Sequence, residues 1–333
     1  VVNIVLKKHV NIGTLDARYG WYSDGGGRER MLSFTNNFSI GKLNLMVGAQ
    51  ASDQQPMWAF QRRITAQNFA GGINPQQPNQ NVYAQGLFYG LTYFPSQLSD
   101  CSKLSGLFGG SERYYGSALG NSCGSTTSSG YQTLINKDQS ASFSVHADYA
   151  VNDKLQLYTD LFDNYEQQSH RVDNLFFGFI FDPNLFDMVL IEKEFAPEEI
   201  GSSLDDVLSQ KSYENTYSAT FGGKADLGRG WSLDVAFTRS QESSDDRQIG
   251  LLATKVPGSY GSALLGPYLG DFSGVPMYSP NYSLLADPIT PAQYAAYTGA
   301  ASINSANRTD QLRAQLTQTS LFTLLGGDAG LAV

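Results

Sequence analysis

The sequence predicts an all-β, antiparallel protein on three observations. Apolar and polar residues alternate with period two through several segments, most clearly in Val151 to Glu166, where Leu155, Leu157, Thr159 and Leu161 fall at every second position. Gln156, Asp160 and Asn164 fall between them. Tight turn sequences separate paired runs of this kind, and the composition suits strands facing two different solvents. Apolar residues make up 41% of the 333, aromatics 12% and charged residues 16%, with 34 Gly, 19 Tyr and 19 Phe.

Taken in order, Val1 to Lys8 is a short β-branched strand. Leu15, Ala17, Tyr19 and Trp21 then alternate with Asp16, Arg18 and Gly20, followed by a glycine-rich turn from Ser23 to Gly27. The return strand sets Leu32, Phe34 and Phe38 against Ser33, Thr35 and Asn37; past Ile40-Gly41-Lys42, Leu43, Leu45, Val47 and Ala49 alternate with Asn44, Gly48 and Gln50. From Asp53 to about Lys137 the alternation stops, and the stretch reads as a long irregular loop, a kind that is usually functional.

Pattern resumes with Phe143, Val145, Ala147 and Tyr149 against Ser144, His146 and Asp148, and the Asn152-Asp153 turn leads into the Val151–Glu166 strand. A second loop covers about Arg171 to Lys211. Tyr213 to Phe221 and Trp231 to Phe237 form the next pair of strands about Gly228-Arg229-Gly230. A third loop covers about Asp245 to Asn307, and within it Thr290-Pro291-Ala292-Gln293 has the residues of a capping box with Pro at the first helical position. Gly299 is expected to end that helix. The last full strand carries Leu312, Ala314 and Leu316 opposite Arg313, Gln315 and Thr317, and Gly326-Gly327-Asp328 turns into a final one.

Short connections therefore recur on one side and long ones on the other, as in a transmembrane β-barrel with long extracellular loops. Trp21, Phe38, Tyr149, Phe221, Trp231 and Phe322 stand near strand ends, where interfacial aromatic girdles belong. No run of about 18 apolar residues provides a transmembrane helix, which leaves barrel strands untouched. The net charge of −9 disfavours nucleic acid as a partner, since phosphate binding calls for a basic footprint. Both ends fall within strand-like pattern, so the sequence reads as an internal stretch of a longer chain.

Val1-Val2-Asn3-Ile4-Val5-Leu6-Lys7-Lys8 resembles the last plug strand of TonB-dependent outer-membrane receptors, and Tyr19-Gly20 with Asp24-Gly25-Gly26 fits their first barrel hairpin. Leu321-Phe322-Thr323-Leu324 and Gly330-Leu331-Ala332-Val333 resemble a later strand pair of the same family. The resemblance implies that residues 1–8 end a plug domain and residues 9–333 form roughly nine strands of a barrel of about 22. It implies a Gram-negative outer-membrane location and active uptake of a scarce ligand (siderophore, cobalamin, oligosaccharide or similar). Its partners would be outer-membrane lipid, the ligand, and TonB through a segment this sequence lacks. A passive porin and a secreted soluble β-protein, carbohydrate-binding or adhesive, are the alternatives.

Catalytic and cofactor signals are absent from the sequence, and the expectation is a non-enzyme without a cofactor. His9, His146 and His170 have no second ligand at metal spacing, and Gly25-Gly26-Gly27 lacks the lysine and spacing of a phosphate loop. Glu192, Glu194, Glu198 and Glu199 read as a solvated acidic face. The set Asp16, Arg18, Asn44, Gln50, Ser144, His146, Asp148, Gln156, Asp160, Asp234 and Arg313 is expected to face the lumen, with His146 solvated. Cys101 and Cys123, the only cysteines, suit a local disulfide in an oxidising compartment. Tyr93, Phe94, Phe108, Tyr114 and Tyr115 lie beside or between them and are the candidate ligand contacts, because aromatic rings supply contact area at low entropy cost.

Overall fold

The computed structural model describes residues 12–67, 78–87, 100–117, 120–172, 174–254, 256–325 and 327–333. The plug-like stretch Val1–Lys8 and the candidate contacts Tyr93 and Phe94 lie outside them. Nine strands make one antiparallel sheet: β1 (Thr14–Gly20), β2 (Glu29–Ile40), β3 (Leu43–Gln54), β4 (Lys137–Asn152), β5 (Leu155–His170), β6 (Gln210–Gly228), β7 (Trp231–Leu251), β8 (Thr298–Leu324) and β9 (Gly327–Ala332). Each pairs with its neighbour in sequence, so the sheet is an up-and-down meander. Among the described residues β1 and β9 do not pair, and the sheet is open.

Its tight turns are made where the sequence places them. The β2–β3 turn puts Gly41 at φ 60°, and Gly228, Arg229 and Gly230 all take positive φ between β6 and β7, a conformation that glycine adopts without a Cβ penalty. Asn152 closes the β4–β5 turn by accepting a hydrogen bond from the Lys154 amide at 2.9 Å.

Cross-strand pairing carries one register through most of the sheet. Met46, His146, Asp160, Thr220, Thr238 and Gln311 succeed one another across six strands, and Asn44, Asp148, Tyr158, Gly222, Ala236 and Arg313 form the adjacent row. The same parity puts all eleven residues expected at the lumen on one face. The opposite face carries Phe38, Leu45, Ala147, Thr159, Phe221, Phe237 and Leu312 in a row, with Leu43, Tyr149, Leu157 and Val235 beside it. That apolar face is the open one: Leu157 is 46% exposed, Phe221 59% and Leu312 75%, whereas Tyr158 and His146 on the polar face are buried.

The strands run further than the sequence suggests. β7 reaches Leu251 and β8 begins at Thr298, because Ser, Asn, Asp and Arg residues beyond the apolar rows keep pairing. On the apolar face the first charged pair is Arg239 with Asp310, 2.7 Å apart.

The long connections differ most from expectation. The described residues of the three long connections contribute a second sheet of seven strands, in the order Tyr268–Phe272, Val275–Tyr278, Leu175–Asp182, Asp187–Glu194, Asn79–Gly86, Gly120–Ser125 and Arg113–Ser117. Three short helices join them, α1 (Pro197–Ile200), α2 (Tyr260–Leu265) and α3 (Pro291–Tyr297). The capping box at α3 forms as expected, with Thr290 accepting from the Gln293 amide. The helix stops at Tyr297, because Gly299 already pairs with Gly250 in the main sheet.

The hydrophobic core lies in this loop body. Val82, Ala84, Phe176, Ile180, Val189, Ile191, Phe195, Leu208, Leu264 and Leu285 are all buried there. Cys101 and Cys123 form a disulfide across it. Closing a loop of this length constrains the unfolded chain by about 3 kcal/mol. Reduction should therefore speed amide hydrogen exchange in Gly120–Ser125 well before β4–β7 are affected. Equal exchange with and without reductant would show that the disulfide does not hold the body together.

Candidate functional site

Two places gather polar side chains. The first is the polar face of the main sheet. His146 sits between two carboxylates, its Nδ1 2.6 Å from Asp160 and its Nε2 2.8 Å from Asp148, and Gln156 donates to Asp148 at 2.9 Å. His146 is therefore buried and engaged, against the expectation of a solvated residue, because its neighbours across β5 and along β4 are both carboxylates.

One row nearer β8, the Tyr158 hydroxyl donates to Asp234 at 2.7 Å, and Arg313 donates to Asp234 at 3.2 Å and to the Tyr158 oxygen at 3.4 Å. The Lys224 ammonium stands 5.5 Å from the Tyr158 ring centre. Tyr158 lies flat because its cross-strand neighbour is Gly222, where a Cβ would meet the ring at 2.3 Å. A cavity of about 420 Å³ opens between Thr14, Thr35, Met46, Ser144, His146 and Phe162 on this face. Carboxylates and cations alternate here, so the face can hydrogen-bond water, another polypeptide or a polar ligand.

The second place is the interior of the loop body, and it corrects the reading of Glu192, Glu194, Glu198 and Glu199 as a solvated acidic face in part: Glu199 is buried, Glu192 and Glu194 are half-buried, and Glu198 stays exposed. Glu198 accepts from the backbone amides of Phe108 at 3.1 Å and Gly109 at 2.9 Å. Glu199 accepts from Ile289 and Ala196, each at 3.0 Å, and pairs with Lys193 at 3.3 Å. The two glutamates of α1 thus fasten the second long connection to the first and the third. Glu194 meets Arg171 at 3.0 Å and also accepts from Asn81, while Glu192 accepts from the Tyr83 hydroxyl at 2.9 Å. A buried charge costs several kcal/mol unless paired and hydrogen-bonded, and Glu199, the buried one of the four, is both.

Lys193 is fully buried. Its ammonium donates to the Asp287 carbonyl at 2.7 Å and lies within 6 Å of the ring centres of Phe195 and Tyr260. Burial pulls its pKa down and Glu199 opposes that pull. Burial also raises the Tyr260 and Tyr282 hydroxyls, the second of which donates to Asp182.

Of the candidate ligand contacts, Phe108 is a correction. It takes a left-handed backbone conformation, φ 49°, is buried, and stacks obliquely on Tyr131, so its ring is core rather than contact surface. Tyr114 is 44% exposed and Tyr115 partly so, and they pair with Cys123 and Ser122. Sequence reading missed Lys193, Arg171, Glu112 and the burial of Glu199. The available signal was the pair of apolar runs Leu175–Phe181 and Met188–Ile191, which flag buried strands.

A scan against protein-family models finds no match, and a search of curated proteins likewise finds none. No group of three or more His, Cys, Asp or Glu among the described residues is arranged to hold a metal ion.

Glu112 is the unusual charge in the body. It is 1% exposed, and neither carboxyl oxygen has a hydrogen-bond partner among the described residues. Burial, with Glu194 and Glu199 nearby, pushes its carboxyl from 4.5 up to about 8. The folded-state value lies above the unfolded one, so Glu112 costs nothing below about pH 4.5 and destabilises progressively as pH rises toward 8. Glu112→Gln should stabilise the loop body by on the order of 3 kcal/mol at pH 8 and by little at pH 4. Denaturant titrations at the two pH values check this; an equal effect at both would refute it.

Proposed function

We propose that this chain is part of a TonB-dependent outer-membrane receptor that takes up a scarce ligand through a plugged barrel. One observation carries the membrane reading. An uninterrupted nine-stranded antiparallel meander exposes an apolar side-chain band on one face and keeps a hydrogen-bonded polar network on the other. Exposed apolar surface on this scale marks an interaction site with lipid or another protein.

On β7 the apolar side chains run Trp231, Leu233, Val235 and Phe237, until Arg239 closes the band. A tilted barrel strand needs about 9–11 residues to cross. Below the band lie two-residue turns; above it stand polar strand extensions and the loop body, the asymmetry of an outer-membrane barrel. The unpaired edges of β1 and β9 cannot stand in lipid, where every backbone group must be satisfied, so this reading requires further strands to close the wall.

The transport reading rests on the resemblance at Val1–Lys8 and at the last strand pair. It makes the polar face the lumenal wall, TonB the energy source and the loop body the part that meets ligand outside the cell. A porin would share the wall without the energy requirement.

Fractionation of cells carrying the native protein, followed by uptake assays with and without TonB, tests both parts. Recovery in the outer membrane with TonB-dependent uptake is expected. Uptake indifferent to TonB would leave a porin, and recovery from the medium as soluble protein would sink the barrel. Val235→Arg in the native protein should destabilise the membrane-inserted state by about 2–4 kcal/mol, read by urea unfolding in vesicles, and no change would place Val235 away from lipid. Replacing Tyr114 and Tyr115 together by Ala should weaken equilibrium binding of the transported ligand about ten-fold; unchanged affinity would remove that corner of the loop body from the ligand path.

A further inference from the structure

The loop sheet has two unlike faces. One packs on the core through Phe176, Gly178, Ile180, Val189, Ile191, Lys193, Val82 and Ala84. The other is open, and the pairing orders it into rows: Leu175 with Glu194, then Phe177 with Glu192 and Tyr83, then Phe179 with Leu190 and Gln85. Phe177 is 55% exposed, and Phe179 and Leu175 each 40%. Directly paired side chains on a sheet have Cβ atoms about 5 Å apart, so Glu192 is flanked by the Phe177 and Tyr83 rings on either side.

Charge sets Glu192 apart from its neighbours. Glu194 meets Arg171, Glu199 meets Lys193, and Glu198 accepts two backbone amides. Glu192 is half-buried, and its hydrogen bond comes from a neutral phenol, Tyr83, at 2.9 Å. It has no Lys, Arg or His partner among the described residues. A partly desolvated carboxylate without a counter-charge, set between aromatic rings, favours a cation electrostatically through the charge and through the ring faces. The excess of acidic side chains over the whole chain adds a long-range attraction for cations.

We propose that the Phe177–Glu192–Tyr83 row binds the ammonium group of an organic cation, whose hydrocarbon part lies on Phe177, Phe179 and Leu175. The site stands on the loop body's geometry and needs neither the barrel nor TonB. It is separate from Tyr114 and Tyr115, which lie on the edge strand Arg113–Ser117, with Gly120–Ser125 between that strand and the one that carries Tyr83. A neutral sugar could use the rings and the polar groups, but it leaves the uncompensated charge of Glu192 unanswered.

Calorimetric titration of the full-length protein with benzyltrimethylammonium, and with benzyl alcohol as the neutral aromatic control, tests the assignment. Saturable binding of the cation in the roughly millimolar range or tighter is expected, at least about ten-fold stronger than the alcohol. Glu192→Gln preserves the hydrogen bond from Tyr83 and should weaken the cation by about ten-fold while leaving the alcohol unchanged. Phe177→Ala, at an exposed position, should weaken both. Circular dichroism of the variants confirms that the fold is retained. Equal binding of cation and alcohol, an unchanged Glu192→Gln titration, or no saturable cation binding would overturn the inference. So would binding of a neutral oligosaccharide lost in Phe177→Ala and indifferent to Glu192→Gln.

Discussion

The nine-stranded ladder depends on a register that cannot slip. Side chains on a strand alternate faces with period two, so a shift of one residue in any strand would send its leucines and phenylalanines to the polar face and its carboxylates to the apolar one. The pairing of Leu157 with Tyr149 and Gly223, and of Tyr158 with Asp148 and Gly222, fixes both faces together. Tight turns reinforce this, because the left-handed residues at Gly41 and Gly228–Gly230 admit one alignment of the strands they join. The polar face adds contacts that only this alignment provides: His146 between Asp148 and Asp160, and Tyr158 over Gly222.

The two sheets solve opposite problems. The main sheet leaves its apolar side chains outside and puts hydrogen-bonded polar ones on the other face; the loop sheet encloses a conventional core and buries charges within it. Burying Lys193, Arg171 and Glu199 is expensive unless each is answered: Asp287 and Ile289 of the third connection answer Lys193 and Glu199, Glu194 answers Arg171, and the exposed Glu198 ties in Phe108 and Gly109 of the first. A buried charge of this kind fixes which loops meet, since a mispaired loop would strand an ion without a partner. Glu112 is the exception, and its unanswered carboxyl is held in the protonated range by burial.

The open faces assign different partners to the two bodies. The apolar band of the main sheet is broad and carries no charge until Arg239 and Asp310, which suits lipid. The open face of the loop sheet is small, half aromatic and half polar, and carries Glu192, with no counter-charge among the described residues, which suits a small charged ligand. On the proposed function, the main sheet would span the bilayer and the loop body would form a ligand-contacting cap above it.

The sequence by itself determined the strands of the main sheet, their turns and their two faces. Each is a local property: alternation assigns a side chain to a face, and Gly or Asn fixes a turn, without reference to anything distant. That all eleven polar residues share one face, and the capped start of α3, were legible for that reason. Only the tertiary structure decided the loop body. Its strands are apolar on both faces or nearly devoid of pattern, and their partners come from other connections, as Tyr83 and Glu192, 109 residues apart, show. Whether a glutamate is solvated or buried, and whether Phe108 is contact or core, depends on which loop lies against it, and no local spacing encodes that.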